Sequence, residues 1–440
     1  MDNIGAKQKY LIQKVKKYFN RLSNLDIDIS KSSFCYIPSF GLNPGNTKLI
    51  KWINNKLFNL ENIKIIFFHI LAISSYYNYK IYNGNQKNYK SLFISWGKKK
   101  DFKNNNFSDK LLNANSESHK KSLFFVIYLD EVKPSIIPKN VILFYKKKRG
   151  RSIFFLLKIL TQSLFIYQFN LRKFIHYVSS QTIFAEKIYD KIDSVVKKNN
   201  IQKIIMPYEG QPFQNFVMSK LDKKIKTHGI VHSILPALPT NLVKRKGSPQ
   251  KIYVSSQEQK KILIKFLGWN KSEIVVIDSL RFKKKIDKGI SGSIFLPINI
   301  KNVNKIINDF DIFSKSQNLI LISKLKVRNH PAMNNSPIHK NLIKEINNLI
   351  TKKNLKFKGK FKKNICIFIG PTSAVIELLD KKFKVFHIPI NPILDIYNNN
   401  IFSSLETKKK YNSYIYKRTN KKNMIQFGSD NYNFKSLQIV

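Results

Sequence analysis

Short, almost wholly apolar runs recur along this 440-residue chain, and helix-length amphipathic segments separate many of them. Phe34–Ile37, Ile63–Phe68, Leu92–Ser95, Leu123–Tyr128, Val141–Tyr145 and Lys203–Met206 read as strands of a first half. Ile252–Ser255, Ile274–Ile277, Ile294–Leu296, Leu319–Ile322, Ile365–Ile369 and Lys384–His387 follow. Segments 181–198, 211–222, 256–267, 301–315, 338–350 and 372–380 carry helical spacing. Alternation of this kind predicts parallel sheets with crossover helices. Runs that are apolar at successive positions predict strands buried on both faces. The polar, glycine-bearing stretch "RFKKKIDKGISGS" (281–293) divides the pattern. Two Rossmann-like α/β domains facing a cleft are therefore expected, residues 1–285 and 286–404, with 405–440 as a basic tail. Residues 99–122 read as a mobile excursion from the first domain.

The formal charge is +53. Charge of that size suits nucleic acid or an anionic membrane. Lys, Asn and Ile are enriched together throughout, however, so compositional drift also accounts for it. Basic and aromatic residues interleave without an RNA-binding or zinc-finger pattern, and a nucleic-acid partner is not expected. Cys35 and Cys366 are the only cysteines, too few for a disulfide framework or a cysteine metal site. A reduced, cytoplasmic setting fits, and the N-terminus lacks the apolar core of a signal peptide. The stretch "SIFFLLKILTQSLFIYQF" (152–169) carries Lys158 and Gln162 and is short for a spanning helix. A buried helix is the expectation. The alternative is a helix lying on an anionic membrane surface, between "KKKRGR" and "LRK".

Three short motifs fall where strands are expected to end, the place where open α/β sheets bind ligands. In "KIIMPYEGQPFQN" (203–215), Glu209 follows a strand and precedes a helix. A carboxylate there can take a proton from a hydroxyl nucleophile, or it can simply cap the helix. In "KVRNHP" (326–331), Arg328 supplies a forked cationic donor and His330 a second donor, both suited to phosphate. In "NICIFIGPTSAVIELL" (364–379), a strand runs into Gly370, after which Thr372 and Ser373 open a helix with two hydroxyls. That is an anion site or an ordinary cap. Glu377, one turn on, is a candidate acceptor for ribose hydroxyls or a solvated acid.

In this order the motifs resemble those of bacterial GT-B-type glycosyltransferases that use CMP-activated acidic sugars. Glu209-Gly210 stands at the family's acidic-acidic-Gly motif, His330-Pro331 at its His-Pro and Thr372-Ser373 at its Ser-Ser/Thr. The stretch 181–400 is also similar to surface-carbohydrate and capsule-biosynthesis proteins, chiefly in "PYEGQPFQN" and "DSLRF" (278–282). The likeness covers about half the chain. Tyr208 stands in place of the first acid, and Thr-Ser in place of Ser-Ser/Thr.

The resemblance implies metal-independent, inverting transfer of a sugar from a nucleotide donor, with CMP favoured. The acceptor would be a glycan or lipid-linked glycan in surface polysaccharide or lipopolysaccharide synthesis, at the cytoplasmic face of an anionic inner membrane leaflet. No cofactor is expected. Glu209 is implied as catalytic base, with Asp222 or an acid of the 100–130 region as substitutes. Arg328, His330, Gly370, Thr372, Ser373 and Glu377 are implied for nucleotide and phosphate. Tyr208, Gly210, Gln211 and Arg281 are further cleft candidates. A CDP-polyol phosphotransferase of teichoic-acid type is the nearest alternative enzyme. A basic nucleic-acid-binding protein is the alternative of another class, and a degenerate transferase fold that only binds glycans is a third reading. The pairs Asp26/Asp28 and Asp309/Asp311 have metal-binding spacing but do not end strands. His228 and His232 in "HGIVH" lack the glutamate and the helix of a zinc protease. No Walker loop or GxGxxG occurs.

Overall fold

A computed structural model describes residues 3–55, 60–76, 79–83, 88–146, 152–166, 170–283, 290–316, 325–330, 333–352, 364–419 and 423–429. The protein is α/β, built on two mainly parallel sheets. The first has eight strands, in the order Tyr79–Asn83, Val141–Lys146, Ser122–Tyr128, Ser91–Gly97, Lys203–Pro207, Lys226–Ile230, Lys251–Val254, Ile274–Val276. Only the Tyr79–Asn83 edge is antiparallel. The second has six, in the order Lys326–Arg328, Ser293–Phe295, Ile365–Ile369, Lys384–Ile388, Ser413–Arg418, Leu405–Lys410. Its first four strands are parallel, and the Leu405–Arg418 hairpin closes one edge antiparallel. This is the pair of Rossmann-like sheets across a cleft that the apolar runs imply.

The period of two explains the central strands. Leu123, Phe125 and Ile127 point to the core under the helices Ile4–Asn24, Ser180–Asn199 and Pro212–Lys220. Phe124, Val126 and Tyr128 point to the opposite face. That face is covered by Phe107, Leu112 and Ala114. Phe107 and Ala114 lie on a small three-stranded sheet, Phe102–Lys103, Asn106–Asp109 and Ala114–Asn115, and Leu112 on the turn between its last two strands. Residues 99–122 are thus a packed cover and not a mobile excursion. Its widely spaced apolar residues carry no regular period, which hid the role.

Other expectations shift. Ile63–Phe68 lies within the helix Leu60–Leu71, and Phe34–Ile37 begins in a 3₁₀ turn, Ser33–Cys35. A short apolar run does not by itself separate helix from strand. The Leu405–Arg418 hairpin, assigned to a tail by its charge, pairs through Phe386 and His387 to the sheet. Its inward Leu405, Tyr414 and Tyr416 are buried while its lysines face out. The expected strand Leu319–Ile322, Pro331 and residues 430–440 lie outside the described residues.

The two sheets are tied together by buried polar contacts. Gln8, on the first helix, donates through Nε2 to the carbonyls of Ile393 and Ile396, both at 2.9 Å. Glu258 accepts from the Ser404 hydroxyl at 2.8 Å and its N–H at 3.2 Å. Tyr397 donates to Leu235 O and Thr372 O, each at 3.2 Å.

Candidate active site

A cavity of about 370 Å³ opens between the carboxyl ends of the two sets of parallel strands. Volumes in this range hold small-molecule ligands. Tyr208 and Glu209 follow the strand Lys203–Pro207, and His232 follows Lys226–Ile230. From the other sheet, His330 follows Lys326–Arg328, and Thr372 and Ser373 follow Ile365–Ile369. Arg281, on the short strand Ser279–Lys283 that links the sheets, completes the wall.

Glu209 does not cap the helix that follows it. Gln211 is the N-cap of Pro212–Lys220. Buried Gln214 accepts the N–H groups of Gln211 and Glu209 at 3.0 Å each and donates to Pro207 O at 2.6 Å. With the helix start served, the Glu209 carboxylate faces the cavity. Its Oε2 accepts from Gln211 Nε2 at 2.9 Å, and its Oε1 lies 3.4 Å from His232 Nε2. Gly210 takes φ +70°, and a Cβ there would run into the Asn241 carbonyl oxygen. Asn241 Nδ2 donates to Glu209 O at 3.0 Å, and buried Arg245 donates to Gly210 O and Cys35 O. Gly210→Ala is therefore expected to destabilise the protein by about 1–3 kcal/mol through backbone strain. Denaturant melts would show it, and an unchanged midpoint would mean that the loop gives way.

Tyr208 turns its hydroxyl away from the cavity, donating to Asn215 Oδ1 at 2.8 Å in the core. It supplies wall but no acid in place of the family's first carboxylate. The substitutes lie elsewhere, since neither Asp222 nor any acid of the 100–130 region, of which Asp109 is one, lines the cavity. Asp222 caps a turn, accepting from Lys224 N–H at 2.9 Å, and Asp109 accepts from Leu111 and Leu112 N–H.

On the facing wall, Thr372 Oγ1 accepts from Ala374 N–H at 3.2 Å, while Ser373 makes no side-chain cap bond to the helix Ala374–Asp380. One hydroxyl caps, and the other is spare. Gly370, at φ +69°, accepts from His387 Nε2 at 2.8 Å, and His387 Nδ1 accepts from the Tyr416 hydroxyl at 2.8 Å. A Cβ on Gly370 would press on Ile390 at 2.8 Å and Pro297 at 3.0 Å. Burial pushes His387 down to about 4, with the Gly370 bond opposing. Its folded value lies below the ordinary 6.5. Its contribution to stability is thus present above pH 6.5 and is lost as pH falls towards 4. The loss should reach about 3 kcal/mol, visible as a fall in melting temperature over that window. The fall should be smaller in His387→Gln, and equal falls in both proteins would assign it to other groups.

Three residues assigned to nucleotide and phosphate, Arg328, Gly370 and Glu377, do not line the cavity. Arg328 Nε donates to Ser293 Oγ at 2.7 Å, across the adjacent strand. Glu377 accepts from Lys381 Nζ at 2.8 Å, at the C-cap of its own helix. The sequence also left out residues that do line it. His232 is buried and its Nδ1 has no hydrogen-bond partner. Burial holds His232 low, Glu209 raises it and Arg281 lowers it. His330 is likewise lowered, by burial, then by His339 and Arg281. Asp395, whose Oδ2 accepts the N–H groups of Ile390 and Asn391 at 2.7 and 2.9 Å, is pushed up to about 7 by burial. The Asn-Pro pair opening its short helix, with an acid a turn later, was the available signal. For His232 the spacing from a strand end was the only one.

No family model matches the chain, and no curated protein does. Among solved structures, the chain is similar to a UDP-GlcNAc 2-epimerase from Neisseria meningitidis bound to UDP-GlcNAc. Identity is 8%, over 71% of this chain and 85% of that one, with a TM-score of 0.38. It is also similar to a glycosyltransferase from Rickettsia africae, at 10% identity over 71% and 86%, with a TM-score of 0.33. Likeness at that level says nothing about chemistry, which rests on the geometry of the cavity.

Among the described residues, no three His, Cys, Asp or Glu side chains converge as metal ligands. Asp26 pairs with Lys173, and Asp309 and Asp311 pair with lysines on their own helix. Neither Asp-x-Asp pair lines the cavity.

Proposed function

We propose that this protein is a metal-independent, inverting glycosyltransferase that moves a sugar from a nucleotide donor to a hydroxyl of a glycan or lipid-linked glycan. The observation that carries the reading is one cavity with a carboxylate on one sheet, imidazole and hydroxyl groups on the other, and the Arg281 guanidinium on the strand between them. Glu209, on the first sheet, takes the proton of the acceptor hydroxyl. The acceptor oxygen then bonds to the anomeric carbon as the bond from that carbon to the phosphate oxygen breaks. Negative charge gathers on the leaving phosphate, within reach of His330, Arg281 and Ser373. Preorganised donors of this kind stabilise a transition state more than the ground state. Arg281 takes the place first given to Arg328. A CMP donor, a surface-polysaccharide product and a location on the cytoplasmic face of an anionic membrane follow the family resemblance.

Thermal shift with CMP, CDP, UDP and GDP tests the reading, because a ligand of the folded state alone must raise the melting temperature. One of the four should do so, and transfer should persist in excess chelator. No shift with any of them would overturn a nucleotide-donor reading. Activity lost in chelator and restored by Mn²⁺ or Mg²⁺ would overturn metal independence. A phosphodiester product would move the assignment to a polyol-phosphate transferase.

A further inference from the structure

The helices Leu60–Leu71 and Ile153–Ile166 pack on one small core of Ile73, Leu156, Val178 and Ile183. Their outward faces are largely apolar too, interrupted on the second by exposed Lys158, Thr161 and Gln162. On the first, Leu60 is 72% and Phe68 65% exposed, with Phe67 beside them. On the second, Phe154 is 87% and Ile166 71% exposed, with Leu157 between them. Apolar patches of this extent on a protein surface mark an interaction site. A helix apolar on both faces, with one face exposed, is ordinarily covered by protein or by lipid.

Length and charge decide between these. The second helix has 14 residues and is about 21 Å long, against about 30 Å for a bilayer core. No helix among the described residues is long and apolar enough to cross a membrane. The helix can therefore only lie in the plane of an interface. The sequence from Lys146 to Lys173, which contains it, holds eight Lys and Arg and no Asp or Glu. A second copy of the chain would bring the same positive charge to the contact and be repelled. An anionic lipid headgroup layer is complementary to it.

We infer that this two-helix shoulder is a membrane-docking face, inserting Phe154, Leu157 and Phe67 below the headgroups of an anionic leaflet while the flanking cations bind those headgroups. The inference stands apart from the nucleotide chemistry and survives or fails separately.

The test is flotation of the full chain with phosphatidylcholine vesicles, pure or with about a third phosphatidylglycerol. Wild type should float with the anionic vesicles, less so as salt rises. Phe154→Glu/Leu157→Glu should partition at least about tenfold more weakly, with an unchanged melting temperature. Phe67→Glu/Phe68→Glu on the other helix gives the same reading should the first pair fail to fold. Absence of flotation by wild type would overturn the inference, as would undiminished flotation of both variants, which would leave charge alone as the cause. A wild-type dimer in sedimentation that the variants dissolve, without flotation, would make the shoulder a self-association face instead.

Discussion

Glu209→Gln should lower turnover by about 10²–10⁴-fold, the contribution expected of a general base. The substitution keeps the size and removes the proton acceptor. It also keeps the loop, since Gln214 and Asn241 hold the backbone of residue 209 independently of its side chain. Nucleotide affinity should therefore change little. Steady-state kinetics with saturating donor, alongside isothermal titration of the nucleotide, separate the outcomes. Near-normal turnover would remove Glu209 from catalysis and leave Asp395 as the other carboxylate on the wall. Collapse of nucleotide affinity would mean that the donor lies on the first sheet.

His330→Ala should lower turnover by about 10²–10³-fold, the usual loss for one donor to developing charge. Nucleotide binding should weaken as well, because the leaving phosphate is present in the donor complex. Arg281→Ala should act in the same direction, since Arg281 lies close enough to depress both cavity histidines. Arg328→Ala should leave affinity unaffected, its guanidinium being engaged by Ser293. Titration calorimetry on the three variants decides it. Unchanged affinity in His330→Ala would take this residue out of the phosphate site. A loss confined to Arg328→Ala would restore the reading made from the sequence.

The strand-end motifs were legible because they depend on local order. An apolar run, a turn glycine and a helix start must follow one another in any parallel α/β unit, and this places Glu209, His330 and Ser373 without tertiary information. Side-chain direction is a different matter. Tyr208 and Glu209 are neighbours, yet one hydroxyl enters the core and one carboxylate enters the cavity, because successive residues leaving a strand point opposite ways. Arg328 ends a strand as expected, but its side chain lies across the sheet on Ser293.

By itself the sequence determined two parallel sheets, their approximate strands and the three positions where chemistry can sit. Tertiary structure alone decided which groups share a volume. His232 meets Glu209 because two adjacent parallel strands end level, and Arg281 lines the cavity where Arg328 does not because the segment linking the sheets passes it. It also decided that the helix Ile153–Ile166 is exposed where a buried one was expected. Apolar periodicity reports that a helix face needs cover, and it is the same whether protein or lipid provides it.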